Sequence, residues 1–174
     1  MERNILSVLV DNTTGVLARI AGLFSRRGYN IKSLAVGETH DPSISRMTIL
    51  VECDDKALDQ MVRNLAKQIS VHTVEVIEEP ASTNRELLLL KVSTNTETRM
   101  QVIELANIFR ARVIDVTAES MTLEITGEGE KAEAIIAMMS EFGILEMART
   151  GTVALSRGAR TIYDCIPNDE DETT

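Results

Sequence analysis

Twice along this chain the apolar residues run through the same order of patterns, and that repetition limits the fold more than any other feature. Residues 5–10 (Ile-Leu-Ser-Val-Leu-Val) are an apolar run of strand length. Val16, Leu17, Ile20, Ala21, Leu23 and Phe24 follow at helical spacing, and Gly28 stands where such a helix stops. Strand patterns at 31–36 and 46–52 flank a connector whose Asp41-Pro42-Ser43 is a turn signal. A helix then starts at Asp55, capped by Asp54, with Leu58, Met61, Val62, Leu65 and Ile69 on one face. Residues 71–77 close the set, Val74 and Val76 alternating against Glu75. The order is β-α-β-β-α-β, the split unit of ferredoxin-like folds.

The second half repeats the order with little identity. Residues 86–92 read as a strand buried on both faces or covered by a partner. A helix over 97–110, strands over 112–116 and 121–126, a helix over 130–141 and a strand over 144–148 follow. The stretch 149–158 takes no assignment. The expected fold class is α+β, with two tandem ferredoxin-like units. The boundaries expected are a first domain over 1–79, a polar linker over 80–84, a second domain over 85–162 and an acidic, disordered tail over 163–174.

Charge separates the halves: residues 1–80 carry a net −2 and residues 81–174 a net −7. An acidic chain with no Trp, three Phe and two Tyr is a poor binder of nucleic acid. No apolar run approaches the length of a membrane span, and no leader is visible, so a cytoplasmic protein is expected. Cys53 and Cys165 stand far apart and read as reduced thiols. The motif of a nucleophile elbow, a P-loop or a dinucleotide fold is missing, and neither His40 nor His72 has a metal-ligand neighbour at the required spacing. Arg110, Arg112, Arg149 and Arg157 flank apolar strands of the acidic half. They serve either local salt bridges or a protein partner, since arginine is enriched at interfaces.

The loop between the first strand and first helix, Asp11-Asn12-Thr13-Thr14-Gly15-Val16-Leu17, is the one stretch with binding chemistry. A glycine at a helix start admits a ligand to the backbone, and the free N–H groups there attract a carboxylate. Thr13 or Thr14 is the expected N-cap. Without a ligand, the same residues make a well-capped turn.

Longer motifs in a fixed order go further. Asn12-Thr13-Thr14-Gly15-Val16-Leu17-Ala18-Arg19 precedes Gly22-Leu23-Phe24-Ser25-Arg26-Arg27-Gly28-Tyr29-Asn30-Ile31, then Asp41-Pro42 and Ser45-Arg46-Met47-Thr48. The second half adds Ile108-Phe109-Arg110-Ala111-Arg112-Val113-Ile114-Asp115-Val116, Ala148-Arg149-Thr150-Gly151 and Leu155-Ser156-Arg157-Gly158. From about residue 3 to residue 160 the chain closely resembles the regulatory (small) subunits of acetolactate synthase. The acidic tail after Ile162 departs from the shorter members.

The resemblance implies an N-terminal ACT domain that pairs side by side with a second copy and binds a feedback amino acid, usually valine, at the interface. The implied effector residues are Asn12, Thr14, Gly15, Val16 and Leu17 of one chain with the Asn30-Ile31 region of the neighbour, and Val16, Leu17, Ile31 and Ala35 are the residues that could form an apolar pocket for the side chain. The partner implied is the large catalytic subunit, contacted through the second domain, which also supports dimerisation. The resemblance places thiamine diphosphate, magnesium and FAD in that subunit and no cofactor or metal in this chain. It also implies no catalysis here, and no nucleic-acid or membrane partner. Two rivals follow from the residues: a free-standing ACT sensor, which in transcription would carry a basic recognition helix, and a small ferredoxin-like enzyme, which would need a convergent acid/base or metal set.

Overall fold

The computed structural model describes residues 2–78 and 81–166. By its internal contacts the chain divides into two compact units, one of Met1–Thr83 with the residues from Val153 onward, the other of Asn84–Thr152.

In the first unit β1 (Glu2–Asp11), α1 (Val16–Arg26), β2 (Ile31–Glu38), β3 (Ile44–Cys53), α2 (Asp55–Ala66) and β4 (Val71–Ile77) follow in order. The sheet order is β2-β3-β1-β4 with every neighbouring pair antiparallel. Alternation sends Leu6, Val8 and Val10 of β1 and Met47, Ile49 and Val51 of β3 to one face. Val16, Ile20, Leu23 and Phe24 of α1, at one-turn spacing, and Met61 and Leu65 of α2 close that face into the core. α1 stops because Gly28 takes φ +70°, which lets the Tyr29 N–H reach the Phe24 carbonyl at 3.0 Å. α2 starts where the Asp54 carboxylate accepts the Ala57 N–H at 2.8 Å, as the sequence indicates.

The second unit repeats the topology. It holds β5 (Ser82–Ser93), α3 (Arg99–Ile108), β6 (Arg112–Val116), β7 (Ser120–Gly127), α4 (Gly129–Met139) and β8 (Ile144–Arg149) in the order β6-β7-β5-β8. Leu88, Leu90, Val92, Met121, Leu123 and Ile125 pack against Val102 and Ala106 of α3 and Ala132, Ile135 and Met139 of α4. The tandem ferredoxin-like α+β class stands as read.

Several local expectations change. β5 is not buried on both faces: Leu88, Leu90 and Val92 are inside, but Leu89 is 37% exposed. The stretch expected as a linker over 80–84 already contains the start of β5, with Ser82 buried, because polar residues can hold a strand's register without an apolar pattern. The unassigned stretch holds β9 (Val153–Ser156), and it belongs to the first unit rather than to a domain ending at 162. The reason is packing: Ala154 closes a small core with Ile5, Leu50 and Ile77 on the face of the first sheet that the helices leave bare. The tail expected from 163 begins as structure. Ile162–Cys165 form a 3-10 turn with Ile162 2% exposed, fixed by Thr161 and Asp164 capping each other. The rest of that tail, 167–174, lies outside the described residues.

Candidate functional site

The β1–α1 loop is built from β1's last pairings. Asp11 is opposite Ile44 on β3, and its N–H donates to the Ser70 carbonyl at 2.9 Å. The Asn12 N–H donates to the Ser43 carbonyl at 2.7 Å, while its side-chain amide donates to the Pro42 carbonyl at 2.9 Å and to Glu38 Oε1 at 3.1 Å. Both amide hydrogens of Asn12 are thus engaged, leaving Oδ1 as an acceptor. The facing turn is stiff in its own right: Asp41 Oδ1 accepts from Ser43 Oγ at 2.7 Å and from the Ser43 N–H at 2.9 Å. Those two bonds, the hydroxyl's first, hold the Asp41 carboxyl below its usual range.

Neither Thr13 nor Thr14 caps the helix. Gly15 is the N-cap, at φ 89° and ψ −10°, with no side-chain bond to the helix start. A Cβ built on Gly15 meets nothing within 4 Å, so the glycine is needed for its left-handed backbone and not for lack of space. The consequence is an open helix end. Residues 12–15 and 17 are exposed, the first turn of the helix holds no acidic side chain, and the Val16 N–H makes only a long bond, 3.4 Å, to the Thr13 carbonyl. Such an end favours an anion.

The residues singled out from sequence divide into those this chain brings together and those it does not. Asn12, Thr14, Gly15 and Leu17 line the loop, with Leu17 46% exposed. Val16 turns its side chain into the core at 3% exposed, so it offers a ligand only its N–H. Asn30 and Ile31 stand at the far end of the sheet. Ile31 pairs with Val51, which pairs with Asn4, whereas the loop adjoins the end where Glu38 pairs with Ser45. Seven strand positions separate those ends, about 23 Å at ~3.3 Å per residue. Ala35 pairs with Thr48 midway along β2, on the face away from the helices, while Ile31 packs on the helix side. A single copy therefore does not gather Asn30, Ile31 and Ala35 around the loop.

The four arginines also separate. Arg149 joins Glu86 Oε1 at 2.5 Å and Glu133 Oε1 at 2.6 Å, Glu86 being buried. Burial pulls the Arg149 guanidinium down, but the bonds to Glu133 and Glu86 outweigh it and hold it above its usual value. Arg157 closes the β9 end, its N–H on the Ala81 carbonyl at 2.7 Å and its Nε on the Ser82 carbonyl at 2.6 Å. Arg112 keeps an exposed contact with Glu124 at 3.3 Å. Arg110 ends α3 at φ 51°, a conformation usually left to glycine, with the Ala111 N–H on the Ala106 carbonyl at 2.8 Å.

Two pairings were invisible in the sequence because their members are far apart along it. His72 Nε2 lies 2.8 Å from Asp11 Oδ1, beside the loop. His40 packs edge-on to Tyr163 with ring centroids 5.7 Å apart. Among the described residues no three His, Cys, Asp or Glu groups cluster as a metal would need. Cys53 is buried, and burial pushes its thiol up.

Comparison with known proteins adds what geometry alone does not. Residues 6–73 match a family model described as the ACT domain of acetohydroxyacid synthase small subunits, and residues 85–158 match one for the small subunit of acetolactate synthase. The acetolactate synthase small subunit of Mycolicibacterium smegmatis is 50% identical over 90% of this chain and 92% of its own length. This chain belongs to the acetolactate synthase small-subunit family. The small subunit from Mycobacterium leprae is 52% identical over 90% of this chain and 93% of its own. A crystal structure of the acetolactate synthase small subunit from Thermotoga maritima matches with a TM-score of 0.86 at 38% identity, over 92% of this chain and 100% of that one. A member of this family is a small, regulatory subunit with an ACT-type domain, and a catalytic subunit is its implied partner. The open loop falls inside the ACT match. No helix among the described residues is long and apolar enough to cross a membrane.

Proposed function

We propose that this chain activates the thiamine-diphosphate-dependent large subunit of acetolactate synthase and confers feedback inhibition by valine. The observation that carries the reading is the uncapped, acid-free N-terminus of α1 at Gly15, exposed beside Asn12 in an ACT-type unit. The valine carboxylate takes the N–H groups of Gly15 and Leu17, and that of Val16 in place of its long bond to the Thr13 carbonyl. Its ammonium takes Asn12 Oδ1 and the side-chain carbonyl of Asn30 of the partner subunit.

Strand geometry supports a second copy as the source of Asn30. β2 is an edge strand of the first sheet. A two-fold pairing of β2 with its copy is antiparallel, which sets the start of one β2 beside the end of the other. Since the Glu38 end of β2 adjoins the loop and the Ile31 end does not, such a pairing brings Asn30 of the partner subunit to the loop. Ile31 of the partner subunit comes with it and offers apolar surface to the isopropyl group beside Leu17. Ala35, near the middle of β2, lines the seam.

Thiamine diphosphate, magnesium and FAD belong to the large subunit in this reading, and this chain supplies no reacting group. Inhibition requires that valine bind two states of the assembly with different affinity, a coupling of about 1–3 kcal/mol. The test is calorimetry of the chain with valine, leucine and isoleucine, paired with rate measurements on the reconstituted enzyme. The expected result is saturable valine binding, no turnover of pyruvate by the chain alone, and a faster large subunit in its presence. Turnover by the chain alone, or no change in the large subunit's rate, contradicts the reading.

A further inference from the structure

Beside the small apolar core of Ile5, Leu50, Ile77 and Ala154, the first sheet's face away from its helices carries a buried polar patch. Ser7, Thr48, Thr73 and Glu75 are all buried there, Glu75 at 7% exposed, and Arg46 lies beside them half-buried. β9 and the 3-10 turn lie over this face as a strap. Ser156 Oγ donates to Glu75 Oε1 at 2.7 Å, and Thr73 Oγ1 donates to the Cys165 carbonyl at 3.2 Å. Under the strap remains a cavity of about 240 Å³, lined by Arg46, Glu75, Ser156, Arg160, Ile162 and Tyr163.

Two features of the cavity wall point to an occupant. Glu75 Oε2 is buried and has no hydrogen-bond partner among the described residues, although an unsatisfied buried carboxylate oxygen is costly. Arg46 spends its Nε on Ser7 Oγ at 2.8 Å, but its guanidinium makes no ion pair with Glu75 among the described residues. It senses that carboxylate across the gap: burial pulls the guanidinium's pKa down, while Glu75 and then Tyr163 pull it up. On the rim Arg160 reaches Cys165 Sγ at 3.7 Å. Two cationic groups and one anionic oxygen thus face a small space without touching.

We propose that this cavity is a second small-molecule site, for a compact carboxylate bearing an ammonium or hydroxyl on the adjacent carbon. The ligand's carboxylate meets the guanidiniums of Arg46 and Arg160, and its ammonium or hydroxyl donates to Glu75 Oε2. Charge sets the class: two guanidiniums want an anion, and the lone carboxylate oxygen wants a donor held close to that anion. Size sets the scale, since the cavity is smaller than the roughly 300–1,000 Å³ of drug-sized sites. Ile162 and Tyr163 supply wall for a short alkyl group. The site is independent of the β1–α1 loop, because Ser7 points to the opposite face from Leu6 and Val8, which carry α1.

The test is a titration of the full-length chain followed by the nitrogen-15 signals of its arginine Nε–H groups, the Arg46 signal reporting from inside the cavity. Four probes separate the chemistry: L-alanine with ammonium and carboxylate, L-lactate with hydroxyl and carboxylate, propionate with no donor, and ethylamine with no carboxylate. L-Alanine or L-lactate is expected to shift the Arg46 signal saturably, with propionate and ethylamine weaker by roughly tenfold or more. Glu75→Gln keeps the acceptor for Ser156 and the side-chain shape, and it is expected to weaken the better ligand to the same degree. Arg160→Gln, on the exposed rim and harmless to folding, is expected to weaken all carboxylate probes. Asn30→Ala is expected to leave the Arg46 shifts as they are in the wild type, which separates this site from the loop. No shift of Arg46 with any probe overturns the proposal, as does propionate binding the wild type as tightly as L-alanine and L-lactate. Either result leaves the reading of the loop untouched.

Discussion

The two units share one topology but finish it differently. The first covers both faces of its sheet from its own chain, with α1 and α2 on one side and the strap of β9 and Ile162 on the other. The second covers only its helix side. Its other face carries Leu89 at 37% exposed among the pairs Lys91–Glu146 and Arg112–Glu124. Both its edge strands are exposed along their length, β6 with Val113, Ile114 and Val116 and β8 with Ile144, Leu145 and Met147. Exposed edges with apolar side chains invite another polypeptide. In the proposed function the self-covered unit is the sensor, and the open unit is the one with bare surface left for the catalytic subunit.

The comparison breaks most visibly if the strap is not part of the first unit. Ile162→Ala, deleting a side chain that is 2% exposed, is expected to cost about 2–5 kcal/mol in chemical denaturation. The loss should appear as early exchange of amides in β1 and β4, with those of β5 and β7 spared. Equal loss of protection in both units would contradict the division.

A second change sharpens the other side. Arg149→Ala strands the buried Glu86 carboxylate, expected to cost the second unit about 1–3 kcal/mol. Exchange should then be early in β5 and β8. The cap of α2 is a smaller lever: Asp54→Ala is expected to cost about 0.5–2 kcal/mol, confined to the first unit.

The smallest effect is a titration. The Asp41 carboxyl sits below its ordinary value because Ser43 donates to it twice, hydroxyl before backbone. A depressed folded value means its contribution is present above the ordinary aspartate pKa and lost as pH falls through the folded one. Ser43→Ala should raise the Asp41 titration measured by carbon-13 NMR while the Asp164 titration, lowered by Thr161, stays in place.

Most of the fold was legible because periodicity reports burial against helices. Ile20, Leu23 and Phe24, or Leu88, Leu90 and Val92, declare which way they face. What was not legible shares a cause: burial by a segment remote in sequence. β4 shows it, since Glu75 is buried and Val76 is 39% exposed, the reverse of what alternating valines indicate. The strap explains the inversion, and its own short strand of Val, Ala, Leu and Ser gave no period long enough to read. In the site, the loop residues were legible from the glycine and asparagine. The uncapped state of Gly15, the bond from Asn12 to Glu38 and the pairing of Asp11 with His72 were not, because each depends on the backbone angle or on partners tens of residues away.

The central claim is that valine binds a site shared by two copies, the loop from one and Asn30 from the other. Gly15→Asp sets a carboxylate at the helix end, and Asn30→Ala removes a polar partner at about 1–3 kcal/mol, roughly 5- to 150-fold in affinity. Each variant alone should activate the large subunit and resist valine. The direct measurement is the valine inhibition curve of enzyme reconstituted with both variants mixed as unfolded chains and refolded together. A mixed pair holds one loop with Gly15 intact facing an intact Asn30, so part of the wild-type valine response should return. A mixture as resistant as either variant alone would contradict the shared site.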